Sequence, residues 1–262
     1  ILSLFLVFYT QSDMIYIIHR RRCTNMQQVF IYWIIYAFFG WIVETLYTSI
    51  PKGSFQERGF LFGPIIPIYG FGALMILYLL NPFFDNIFLV FILGIIATSI
   101  LEYITSYIME KIFHMRWWDY SNRKFNIQGR ICLRNSVLFG ILSVVLVEFI
   151  HPKVSQFIIN IPPEYFGITS TILFILVMID TLNSIVYSLN LSKIKLEIDK
   201  ISEEIIRSKE VIKQETRKSL EEIKVSIGSL EHHIIKAYPN LKNNLRKRLE
   251  EVKTLIEKNE EK

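Results

Sequence analysis

Between Met26 and Leu189 the chain reads as five long apolar runs, at 28–50, 59–80, 86–109, 134–150 and 166–189, with short polar stretches between them. A helix needs about 20 apolar residues to cross the hydrocarbon core of a bilayer, so the pattern predicts an all-α integral membrane protein with five transmembrane helices. Beyond Leu189 the pattern changes. The chain becomes polar, with an apolar stripe at Leu191, Ile194, Ile198, Ile201, Ile205 and Ile212 that resumes at Leu220, Ile223, Ile227, Leu230 and Ile234. Three-four spacing is that of a coiled-coil seam, and the jump from Ile212 to Leu220 reads as a stutter. Pro239-Asn240 breaks the helix, and Leu241, Leu245, Leu249, Val252 and Ile256 make a second stripe, so an antiparallel helical hairpin is expected. The predicted organisation is a membrane domain over 26–189 and a cytoplasmic coiled-coil tail over 190–262.

Residues 1–18 are apolar but interrupted by Gln11, Ser12 and Asp13, and no basic stretch precedes them as in a signal peptide. Arg20, Arg21 and Arg22 lie just ahead of Met26. Purine-rich arginine codons at that distance look like a ribosome-binding site, so translation is expected to begin at Met26, with 1–25 an upstream extension.

Orientation follows Lys and Arg in the short loops. With the tail in the cytoplasm, the inner segments 51–58, 110–134 and the start of the tail carry 13 basic residues, while the outer loops 81–85 and 151–165 carry only Lys153. The N-terminus is therefore expected outside and the tail inside a bacterial plasma membrane. The net charge of +5 fits contact with anionic lipid. The sequence has no RNA-binding aromatic signature, zinc-finger spacing or helix-turn-helix pattern, so nucleic acid is not an expected partner. Two cysteines, Cys23 and Cys132, give no disulfide framework.

Four of the five runs carry an acid: Glu44, Glu102, Glu148 and Asp180. An ionisable group inside lipid is expensive and marks a candidate functional site. At about 1.5 Å per residue, Glu44, Glu102 and Asp180 fall at one level in the inner leaflet, while Glu148 falls near the outer end. Polar stripes accompany them: Gly40, Glu44 and Thr48; Glu102, Ser106 and Glu110 with Tyr103 and Tyr107 beside them; Asp180, Asn183, Ser184 and Tyr187. The second run contains Gly59, Gly63, Pro64, Pro67, Tyr69, Gly70 and Gly72 and cannot form an undisturbed helix. Non-helical backbone survives at membrane depth only where protein buries it or a watery cavity meets it, and transporters place such breaks at substrate sites; a proline kink with close helix packing is the plainer alternative. The expected site is a cytoplasm-facing polar cavity that binds a cation or proton through Glu44, Glu102 and Asp180, with Tyr103, Ser106, Asn183, Pro64, Pro67 and Tyr69 around it and Arg58, Arg130 and Arg134 at its mouth.

Three motif groups carry a resemblance. The first is Gly40-Trp41-Ile42-Val43-Glu44-Thr45-Leu46-Tyr47 with Arg58-Gly59-Phe60-Leu61-Phe62-Gly63-Pro64 running into Pro67-Ile68-Tyr69-Gly70-Phe71-Gly72. The second is Leu101-Glu102-Tyr103-Ile104-Thr105-Ser106-Tyr107 with His114-Met115-Arg116-Trp117-Trp118-Asp119-Tyr120-Ser121. The third is Asn126-Ile127-Gln128-Gly129-Arg130-Ile131-Cys132-Leu133-Arg134-Asn135-Ser136. In this order, over about 29–152, the chain resembles the "putative ABC-transporter permease" family of Gram-positive bacteria, CmpB-type or type IV. The resemblance implies a transport permease; it supplies neither a substrate nor catalytic residues. There is no G-x-x-x-x-G-K-[ST], so ATP hydrolysis would belong to a partner subunit and the chain is not expected to be an enzyme. An odd number of spans cannot split into equal repeats, so a dimer through the tail or a second subunit is implied.

Trp117 and Trp118, flanked by Arg116 and Asp119, read as interfacial anchors. Glu110 and His114 at i, i+4 are too few ligands for a metal site, and neither metal nor cofactor is expected. The function expected is that of a permease-like component. The alternative is a non-transporting scaffold or regulator that recruits partners through its tail; an enzyme acting on lipid lacks a nucleophile–base motif.

Overall fold

A computed structural model describes residues 26–207, 222–223 and 239–260; the expectations for 1–25 and for the stripe positions between 208 and 238, Ile223 excepted, lie outside the described residues. The elements are α1 (Met26–Ser49), α2 (Pro67–Leu79), α3 (Ile87–Phe113), two short strands β1 (Asn126–Ile127) and β2 (Ile131–Cys132), α4 (Leu133–Val145), α5 (His151–Ile159), α6 (Pro163–Arg207) and α7 (Pro239–Glu260). Local chemistry sets their ends. Pro51 and the left-handed Gly53, whose N–H donates to Ile50 O, close the turn after α1. Pro67 opens α2 at a position where its missing N–H is not needed. The side chain of Asn86 caps α3 by accepting the N–H of Leu89 at 3.1 Å.

Among the described residues, four helices are long and apolar enough to cross a membrane: Met26–Lys52, Ile87–Phe113, Leu133–Ile159 and Glu164–Glu203. The second apolar run is not a fifth helix of that length. Only its 13-residue end, α2, is helical, about 20 Å at the helical rise; Phe55–Ile66 has no regular structure, because Gly59, Gly63 and Pro64 break it and Pro67 cannot donate to a preceding turn. The fourth run differs from expectation at its other end. Pro152 has no N–H and would clash with the carbonyl four residues back. A π-helical turn at Leu146–Ile150 absorbs the mismatch and the helix continues as α5, so the predicted outer loop 151–165 is helical as far as Ile159. The fifth run lies within α6, which passes residue 190 without a break.

The described chain forms two compact units. One gathers residues up to Gly40 with Ile65–Glu102 and Ile131–Met178; the other gathers Trp41–Pro64, Tyr103–Arg130 and the chain from Ile179 onward. The first unit is built on a core of Ile31, Tyr32, Tyr36, Ala73, Ile76, Val90, Leu146 and Val147, with Tyr36 Oη and His151 Nδ1 hydrogen-bonded at 2.7 Å. Its helices meet at small residues. A Cβ on Gly70 would lie 2.7 Å from the backbone oxygen of Trp33 and 2.8 Å from its ring, whereas one on Gly72 would meet only Leu101 Cδ2 at 3.5 Å. We therefore expect Gly70→Ala to lower stability by about 1–3 kcal/mol through overpacking, while Gly72→Ala, two residues along the same helix, is neutral or stabilising by up to about 1 kcal/mol; thermal unfolding in detergent or nanodiscs measures both.

The second unit has its own core: Phe113, Met115 and Trp117 with Leu191, Ile198 and Ile201 of α6, Ile223, and Leu245, Leu249 and Val252 of α7. Arg248 on α7 reaches Asp199 on α6 at 3.8 Å. The tail's stripe positions named here are thus buried against their own chain. Trp117, expected as an interfacial anchor, is 3% exposed in this core.

Candidate functional site

The second unit holds the irregular segment of the broken run, and two acids grip it. The backbone N–H groups of Phe62 and Gly63 donate to the two oxygens of Asp180, at 2.9 Å to Oδ1 and 2.8 Å to Oδ2. Successive amides converging on one anion make a small anion-binding concavity, and the carboxylate fills it from α6. Ser184, one turn on, contacts Oδ1 at 3.4 Å. The glycine allows this close approach, since a Cβ at 63 would stand 3.0 Å from Asp180 Oδ2 and push the carboxylate back. Five residues before Gly63, Arg58 Nη2 donates to Glu44 Oε1 on α1 at 3.0 Å, with both side chains more than two-thirds buried. Between these ties, Phe60 packs on Phe113 and Trp117, and Phe62 packs on Tyr187. Gly59 adopts φ 121°, which only glycine takes without strain. The segment is thus held by two carboxylates and by aromatic contacts.

A second constellation closes the end of α3. Arg130 is 8% exposed. Its Nη2 lies 2.6 Å from Glu110 Oε2, its Nη1 donates to Ser106 Oγ at 3.3 Å, and its guanidinium lies 5.7 and 5.4 Å from the ring centres of Tyr103 and Tyr107. A planar guanidinium suits such a cage as an ammonium does not. Arg116 donates to the other oxygen of Glu110 at 3.1 Å and to the carbonyl of Gln128 at 3.3 Å, Tyr103 Oη donates to Gln128 Oε1 at 2.8 Å, and Trp118 Nε1 donates to Arg130 O at 3.0 Å. Lys195 donates to His114 O at 2.6 Å, satisfying a carbonyl just past the end of α3.

Within the connecting hairpin, Asp119 accepts from Ser121 N–H at 2.9 Å and from its hydroxyl at 2.6 Å. Burial alone would push the Asp119 carboxyl up, but the Ser121 hydrogen bonds and the charge of Arg116 together hold it below the ordinary carboxylate value. A lowered folded pKa gives a contribution that is complete above the unfolded value, about 3.9, and fades as pH falls through the folded one. Limited proteolysis between Arg116 and Arg130 should therefore be unchanged from neutral pH down to about pH 5 and should accelerate only below about pH 4; Asp119→Asn removes that pH dependence.

Glu44, Arg58, Pro64, Tyr103, Ser106, Arg130 and Asp180 belong to this unit, with Glu44 tied to Arg58 and Asp180 to the amides. Glu102, 6% exposed, belongs to the other unit together with Pro67, Tyr69 and Arg134; Tyr69 packs on Phe139 and closely on Gly40, and Arg134 is exposed. Asn183 and Glu148 are exposed, while Ser184, expected beside Asp180, is buried together with Ser188 and Ser192 of α6. Glu110, the last polar position of the stripe that runs from Glu102 through Ser106, is the hub of two arginines, Arg116 and Arg130.

The arrangement of motifs finds a counterpart among known families: the model described as "Putative ABC-transporter type IV" matches residues 31–185. The chain belongs to that family. No curated protein and no solved structure matches it. The family name and the four apolar helices make it a membrane component related to ABC transporters, a transporter component being no enzyme in itself. The matched stretch contains both constellations, from Glu44 through Arg58, Phe62 and Gly63 to Asp180.

Proposed function

We propose that this member of the ABC-transporter type IV family is a permease-like subunit in a bacterial plasma membrane, working with a separate ATP-binding subunit, and that the unwound segment Arg58–Ile66 is its working element. One observation carries the reading: the paired amides of Phe62 and Gly63 are held by the carboxylate of Asp180. Unwound backbone at membrane depth needs partners for its polar groups, and a segment held by side chains instead of its own helix can change partners at small energetic expense. In this reading the irregular leg and α2 together make the fifth crossing, which returns the N-terminus outside and the tail to the cytoplasm. The polar site in this reading is built on Glu44, Arg58 and Asp180, and the substrate is not specified. The burial of tail stripe positions on their own chain weighs against the scaffold reading, which needs those positions for partners.

The test is recovery of the native protein from gently solubilised membranes, with its companions identified by mass spectrometry. A stoichiometric ATP-binding cassette subunit, whose hydrolysis changes in the Asp180→Asn variant, is the expected result. Recovery of the chain alone or with signalling and envelope proteins instead would overturn the permease reading.

A further inference from the structure

The hairpin between α3 and α4 doubles back along α3. Gln128 touches Tyr103, Arg130 touches Ser106 and Glu110, and Arg116 touches Glu110. Tyr103 lies ten residues before the end of α3, about 15 Å along the helix, so the hairpin stands beside the last turns of a membrane-length helix. The side of α3 around this level presents Ile104, Ile108 and Ile112, each about half exposed. Lys111 there covers the ring of Tyr107 at 5.2 Å.

The hairpin is well braced. Tyr120 N–H donates to Gly129 O at 2.7 Å and Arg123 N–H to Tyr120 O at 2.8 Å. The amide of Asn126 donates to Ser121 O and Arg123 O, and its carbonyl oxygen accepts the N–H of Gly129. This braced frame holds out Arg123, Lys124, Phe125 and Ile127. Phe125 is 79% exposed and Ile127 56%, and Phe125 sits at φ 52°, a left-handed conformation uncommon for a bulky side chain. Strain of that kind persists where surrounding structure imposes it, and it gathers at functional positions. Two exposed apolar side chains beside two exposed cations match a bilayer surface, with acyl chains below and anionic phosphates above.

We propose that the tip Arg123–Ile127 is a lipid-binding finger, in which Phe125 and Ile127 enter the acyl region and Arg123 and Lys124 hold anionic phospholipid headgroups. It takes the interfacial place that the sequence suggests for Trp117, which the fold buries. The proposal rests on membrane insertion of α3 and is independent of whether the chain transports anything.

The full chain carrying Cys23→Ser and Phe125→Cys, with Cys132 buried and so protected from labelling, is tagged with an environment-sensitive dye. It is placed in nanodiscs of phosphatidylcholine, alone or mixed with phosphatidylglycerol. The expected result is quenching by lipids brominated on their chains, strengthened by phosphatidylglycerol. A second measurement avoids the label: native mass spectrometry of otherwise unmodified Arg123→Gln and Lys124→Gln variants should show retained phosphatidylglycerol falling about fivefold for each charge removed. A dye reached equally by aqueous iodide in both lipid mixtures, or shielded only on addition of a soluble protein, would overturn the proposal, as would unchanged lipid retention in both variants.

Discussion

Replacing Asp180 by asparagine is expected to loosen the unwound segment while leaving the helices formed. The carboxylate accepts from two successive amides, one to each oxygen. Asparagine keeps one acceptor and turns an NH2 group toward the other amide, so one bond is lost, a donor faces a donor, and the remaining bond loses its charge. Hydrogen bonds to a charged group contribute roughly 1.5–3 kcal/mol each, and the expected loss is about 2–4 kcal/mol. Asp180→Ala should fall in the same range. Asn183→Ala is the control on the same helix: its side chain is exposed, and a change of no more than about 0.5 kcal/mol is expected. Reversible unfolding in mixed micelles reads all three. Equal losses for Asp180→Asn and Asn183→Ala would remove the clamp from the account.

The second large effect is expected at Arg130. Its guanidinium is buried near two tyrosine rings and bound to Glu110 and Ser106. Alanine there leaves a cavity and one oxygen of Glu110 without its nearest cation. Removing one member of a buried pair is destabilising by about 3–5 kcal/mol; because Arg116 still holds Glu110, about 3 kcal/mol is the expected figure. Arg130→Lys should recover only part of this, since an ammonium supplies charge without the flat surface that stacks on the rings. In a double-mutant cycle with Glu110→Gln, a coupling of about 1–3 kcal/mol is expected. The same variants should expose the hairpin to protease, because Arg130 ties it to α3 through its side chain and holds Trp118 through its carbonyl. Additive single effects would make the cage a matter of packing alone.

The membrane character, the family and the break in the second run are legible in the sequence, because apolar length and the Gly/Pro pattern are local signals. The course of the chain beyond the break is not. Pro67 can open a helix as well as kink one, and only the fold shows that α2 starts there. Pro152 hides the continuation of the fourth helix for a related reason: proline normally ends such a run, and a π turn that lets the helix pass is decided by packing. Three acids at one helical depth suggest a shared site, but depth along separate helices does not fix who faces whom. Glu44 meets Arg58, and Asp180 meets two amides of the broken run. On α6 Asn183 draws notice because it is polar, while Ser188 and Ser192, a turn and two turns beyond Ser184, continue the buried line. Leu191, Ile198, Ile201, Leu245, Leu249 and Val252 of the tail's stripes pack on their own chain, and such a seam has the same three-four spacing as one that packs on a partner.

The most direct test of the clamp is hydrogen–deuterium exchange of the full chain in nanodiscs, comparing the peptide over 59–66 between the natural protein and Asp180→Asn. The account predicts slow exchange at Phe62 and Gly63 in the natural protein and fast exchange in the variant, with α2 unchanged in both. Exchange over 59–66 that is the same in the two proteins would contradict it.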